Sequence, residues 1–177
     1  MKRLLLLICG VWAAWPAAAH VRSQSHSVWE IDGRFIDVVV TIPDIEAKRL
    51  ATDASPVAPE RLRDYLTQRT YAIADGKRCA LVPPVEILSA LAGFSKFDFT
   101  FKCDTATNLQ IHSGAFFDLI ASHTNFAQVQ NAASGEFTEQ LITNEHQTIE
   151  VTGGQGGRLK NASFFERSEE RRVGKEC

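Results

Sequence analysis

FDFTFKC, residues 97–103, is the stretch that decides the fold. Phe97, Phe99, Phe101 and Cys103 fall on one side of an extended chain, and Asp98, Thr100 and Lys102 fall on the other. Side chains along a strand point alternately to opposite faces, so this period of two predicts a strand with one face in a core and one in water. RFIDVVVTIP, residues 34–43, repeats the pattern. Ile36, Val38, Val40 and Ile42 share a face, Asp37 and Thr41 take the other, and Pro43 ends the run. Asp32–Gly33 just before it is a hairpin signal, so a first strand over 23–31, with Val28, Trp29 and Ile31 as its apolar content, turns back into it.

Outward from these two strands the chain reads as short elements. Residues 44–51 form a brief helical stretch and 52–59 a proline-containing loop. Pro59 opens a helix through 68, with Leu62, Tyr65 and Leu66 on one face. Residues 71–74 meet 79–82 across Asp75–Gly76, and 85–91 follow Pro83–Pro84, with a turn near Gly93. Further short strands are expected at 109–112, 116–121, 126–130, 137–142 and 148–152. Regular short strands separated by turn signals predict a mainly β fold: an antiparallel Ig-like β-sandwich with a small helical insertion at about 44–68.

The ends of the chain carry a different message. Met1–Lys2–Arg3, an apolar stretch from Leu4 to Trp15, and Pro16–Ala17–Ala18–Ala19 have the layout of a secretory signal peptide over 1–19, cleaved after Ala19. The apolar stretch is shorter than the roughly twenty residues a membrane span needs. Residues 20–152 then form one extracytoplasmic domain, and 153–166, beginning GGQGG after Thr152, read as a glycine-rich linker. Residues 167–177, RSEERRVGKEC, share no pattern with the strands and read as an artefactual or disordered tail. A formal net charge of −2 gives no electrostatic reason to expect nucleic acid. Cys9 would leave with the leader and Cys177 sits in the tail. Cys79 and Cys103 remain as one pair, in a compartment that favours a disulfide.

The mature start, HVRSQSHSVWEIDG, resembles the opening of the extracytoplasmic N-terminal domain of the HupE/UreJ-like family. The order that follows is similar too: RFIDVVVTIP, a helical stretch, GKRCAL, FDFTFKC and FFDLIASHTNFAQV. In that family the domain precedes a polytopic membrane region, and the proteins are regarded as hydrogenase or urease accessory proteins and nickel or cobalt permeases. NASFFE, 161–166, resembles the approach to the first membrane helix. The resemblance therefore implies a periplasmic domain whose full-length protein is anchored in the inner membrane, with its own membrane region or a membrane partner as the thing it meets. Transport residues are not transferable, because the helices that carry them are absent from this sequence.

Metal handling gives the candidate ligands. A mature chain starting at His20 would offer a terminal amine and an imidazole nitrogen to one ion of nickel, cobalt or copper. His26 is the nearest second ligand, but six residues of strand span about 20 Å, so the two meet only if the first residues fold back. His123 and His146 fall in or near loops, and His112 lies on the polar side of its strand as a solvated residue. No nucleophile-elbow pattern or close carboxylate pair points to an enzyme. Asn161–Ala162–Ser163 matches a glycosylation acceptor by chance. Three readings follow: a domain of a metal permease or accessory protein, a free-standing exported metal-binding sandwich, or a purely structural or partner-binding module.

Overall fold

The computed structural model describes residues 22–51 and 57–151. Ten strands form two sheets, and two short helices are inserted after the first hairpin. Strands β1 (Gln24–Asp32) and β2 (Phe35–Pro43) are the predicted hairpin, turning at Gly33, whose φ of 58° suits a residue without a Cβ. A helix at Asp44–Ala47 runs into a 3-10 turn at Lys48–Leu50, and a second helix spans Pro59–Arg69. Pro59 opens that helix, Leu62 and Leu66 are its buried face, and Thr70 passes directly into β3 (Thr70–Ala74).

The remaining strands are β4 (Lys77–Arg78), β5 (Ala80–Leu88), β6 (Phe94–Lys102), β7 (Gln110–Ser113), β8 (Thr124–Asn131), β9 (Phe137–Thr143) and β10 (Thr148–Glu150). The larger sheet has the order β5-β6-β2-β1-β8-β9 and the smaller β10-β7-β3-β4. The inward faces of β2 and β6 match the reading of the sequence residue for residue: Ile36, Val38, Val40 and Ile42 pack with Phe97, Phe99 and Phe101, all buried. Ala72, Ala74 and Ile111 of the smaller sheet join the same core, so the architecture is a two-layer sandwich. Each phenylalanine so buried is worth about 1.5–3 kcal/mol relative to exposure.

Cys79 and Cys103 are joined, with Cα atoms 4.4 Å apart. They flank the paired strands β5 and β6, Cys79 just before one and Cys103 just after the other. The bond suits an oxidising environment. Among the described residues no helix is long and apolar enough to cross a membrane.

Three local expectations need correction. Residues 79–82 do not return along β3. Only β4 does, extended by a hydrogen bond from the Cys79 N–H to the Ala72 carbonyl, and β5 crosses to the other sheet to pair with β6. Pro83 and Pro84 remain inside β5, where the pairing register shifts, because β5 is an edge strand and an edge tolerates missing donors. Residues 116–121 are a turn rather than a strand. Phe116 takes a φ of 68° and both Phe116 and Phe117 are buried, which no alternating strand allows. The arrangement is mostly antiparallel as expected, and β1 and β8 form the one parallel ladder among the described residues.

Candidate functional site

The inward face of β1 changes character along its length. Trp29 and Ile31 enter the apolar core, but Ser23, Ser25 and Ser27 also point inward. They meet His123 and Asn125, carried by the start of β8 and the turn before it, and Glu46 from the first helix. All six polar residues are buried, with His123 1% and Glu46 2% exposed. Buried polar groups must find partners, and here they form one chain. Trp29 Nε1–H donates to Ser27 Oγ at 3.0 Å, and Ser27 donates to Asn125 Oδ1 at 2.8 Å. Asn125 Nδ2–H donates to Ser25 Oγ at 2.9 Å. Ser25 Oγ lies 2.9 Å from His123 Nε2, and Ser23 Oγ 2.6 Å from His123 Nδ1. Ser23 donates to Glu46 Oε2 at 2.6 Å, which also accepts from Arg49 Nε at 2.8 Å.

Following the protons fixes the tautomer. Ser23 gives its single proton to Glu46, so at His123 Nδ1 it can only accept, and the ring proton sits on Nδ1. Nε2 of the neutral ring then accepts from Ser25. The protons thus run in one direction, from the indole to Ser25 and from the imidazole to the carboxylate. Burial pushes His123 down to about 4; Glu46 works against that shift and Arg49 adds to it. The rings of Phe116 and Phe117, with centroids 5.3 and 5.5 Å from the imidazole, supply the apolar cover. Their turn is pinned to the second helix: the Phe116 N–H donates to Tyr65 Oη, Tyr65 donates to Asp118, and Arg69 bridges to Asp118.

Serine, histidine and glutamate side by side suggest a hydrolytic triad, but the order is wrong. In a triad the imidazole stands between the acid and an accessible hydroxyl. Here Ser23 stands between His123 and Glu46, and Ser25 at the other ring nitrogen is buried. The cluster is a brace that ties β1, β8 and the helical insertion together. Because both ring nitrogens of His123 are engaged, it offers no lone pair to a metal ion. The sequence reading placed His123 near a loop and missed the cluster. Its signal was there: the serines at 23, 25 and 27 share the period of Trp29 and Ile31.

The residues open to a ligand lie on the opposite, outward face of the same strands. His26, Val28, Phe126, Gln128, Glu139 and Leu141 line an open groove of about 450 Å³ across β1, β8 and β9. Register places them in two rows, His26–Phe126–Leu141 and Val28–Gln128–Glu139. The His26 ring stacks on Phe126 at 5.4 Å, while Phe126 and Leu141 remain 46% and 50% exposed. Across β1, β2, β6 and β5 the same outward face is charged: Glu30 pairs with Asp37 and Asp98 with Glu86, and Lys96 and Lys102 share that face of β6. Asp98 feels that crowding: burial raises its pKa, and the neighbouring charges of Asp37 and Glu86 raise it further.

Of the sequence candidates, His26 therefore sits in the groove, and Cys79 and Cys103 form the disulfide. His20, the leader, the linker and the tail lie outside the described residues. His146 is exposed in the turn between β9 and β10. His112 is not the solvated residue expected. Its ring stacks on Tyr71 at 4.3 Å, Nδ1 lies 2.8 Å from Thr148 Oγ1, and burial with Arg78 nearby lowers its pKa. Among the described residues no group of three or more His, Cys, Asp or Glu is placed to hold a metal ion. No family model and no curated protein matches the chain.

Proposed function

We propose that this chain is the exported, extracytoplasmic domain of a HupE/UreJ-like hydrogenase or urease accessory protein or nickel/cobalt permease, and that it works as a binding module in metal handling. The observation that supports a binding role most is the groove: an aromatic, an aliphatic and an imidazole side chain are left open on a sheet face whose reverse side is fully wired into the interior. Exposed apolar side chains grouped on one face mark interaction surfaces. The stapled sandwich is compatible with an oxidising, periplasmic setting, and the family resemblance supplies the link to metal.

The metal component rests on His20 and His26. With a leader removed after Ala19, the His20 amine and imidazole are the primary chelate for Ni(II), Co(II) or Cu(II), and His26 joins them only if the first residues fold back. Isothermal titration of the mature chain tests this against His20→Ala, His26→Ala and a version with one extra residue before His20. Weaker binding on blocking or replacing His20 supports the metal reading. Equal affinity in all four leaves the sandwich as a partner-binding or structural module without a metal. Reading the genomic DNA beyond the codon for Glu166 tests the permease component. An open frame encoding apolar segments of about twenty residues supports it, and a stop codon sinks it.

A further inference from the structure

The outward groove has an occupant within reach on the same chain. Val151, the last described residue, lines a cleft with Phe137 and Thr138 at the start of β9. The groove begins at the next residue of the same strand, Glu139, and runs to Leu141, about 10 Å beyond Thr138. β9 is an edge of its sheet, so a chain leaving Val151 can pass around it to the outward face. Phe164 stands thirteen positions beyond Val151, enough to span about 40 Å when extended.

The composition of that stretch matches the groove. Between 152 and 166 the only large apolar side chains are Leu159, Phe164 and Phe165, and they are accompanied by Arg158 and Lys160. The groove offers Phe126, Leu141 and Val28 to the aromatics and Glu139 to a base. A second copy of the chain is a poorer fit. A stable dimer engages about 20–30 residues a side, whereas nine residues line this groove.

We infer that residues 158–165, RLKNASFF, dock in the groove formed by His26, Val28, Phe126, Glu139 and Leu141, clasping the domain to its own C-terminal connection. The inference deepens the binding-module reading by naming what the face binds. Such a clasp would set how the sandwich is held relative to whatever follows it, instead of leaving it on a free tether.

Trypsin is the probe, because Arg158 and Lys160 lie inside the docked segment. The full chain is digested briefly and cleavage after these two residues is followed by mass spectrometry. Four proteins are compared: the parent, Phe126→Asp, Leu141→Asp, and the double variant Phe164→Ser with Phe165→Ser. The double variant changes no residue of the described strands, so it leaves their packing intact. Cleavage tracks the fraction of time a segment is open, so each variant should be cut at least about tenfold faster than the parent. Equal rates in all four overturn the inference. So does faster cleavage in the double variant alone, which would place the segment against another surface. Protection that rises with protein concentration, together with a dimer in sedimentation, also overturns it in favour of a second copy. Metal and reading frame do not enter this measurement, so its failure leaves the proposed function to its own tests.

Discussion

At the scale of single residues, His123 is the group whose ionisation the fold resists. Its Nε2 accepts from Ser25 and its Nδ1 donates to Ser23, and a second ring proton would leave two donors facing each other at Ser25. With a folded value of about 4 against an ordinary value near 6.5, the native imidazole stays neutral where the unfolded one is charged. The unfolded state therefore binds more protons between these two values, and stability falls as pH drops from about 6.5 to about 4. The two and a half units correspond to about 3 kcal/mol at most. His112 titrates with the same sign, so the slope must be assigned by comparison. His123→Gln should be less stable than the parent at pH 7, and the gap should narrow by about that amount at pH 4. Urea denaturation of both proteins across this range checks it. Parallel curves would show that His123 does not carry the acid sensitivity.

At the scale of elements, the disulfide acts where the chain changes sheets. The Cys79 N–H still bonds to Ala72 of β3, and one residue later β5 is paired with β6 in the opposite layer. The bond to Cys103 fixes that crossing and closes a loop of about 25 residues, worth about 3 kcal/mol in the chain-entropy account. The double substitution Cys79→Ala and Cys103→Ala should lower stability by about that amount while the far-ultraviolet spectrum stays β-like at low temperature. Loss of less than about 1 kcal/mol would mean the crossing is held by packing alone. Elements of this kind were legible in the sequence wherever one face was purely apolar, as in β2 and β6. They were illegible where the inward face was polar. Ser23, Ser25 and Ser27 look like a solvated strand until His123, a hundred residues away from Ser23, supplies their partner. The parallel pairing of β1 with β8 hides for the same reason, since pattern gives a strand its faces but not its neighbour. Phe116 and Phe117 misled because hydrophobicity without alternation was read as a strand, and burial in a turn gives the same composition. The groove was half visible: His26 was singled out, but Phe126 and Leu141 join it only through the register.

At the scale of the whole molecule, the two faces of the larger sheet are built to opposite rules, and this gives a test of which residues serve stability and which serve binding. Phe99 is fully buried between the layers, whereas Phe126 is 46% and Leu141 50% exposed on the outward side. Phe99→Ala removes packed atoms and leaves a cavity, so a loss of about 3–5 kcal/mol is expected. Phe126→Ser gives up the stacking contact with His26, and Leu141→Ser gives up little more than partial cover, so each should cost no more than about 1 kcal/mol. The expected pattern is therefore a large fall in urea midpoint for Phe99→Ala and near-parental midpoints for Phe126→Ser and Leu141→Ser. These last two should also show reduced binding of an apolar dye, because the exposed patch is where such a dye would settle. A fall of several kcal/mol in either groove variant would assign the outward side chains to the fold itself, and the face would lose its standing as a binding surface.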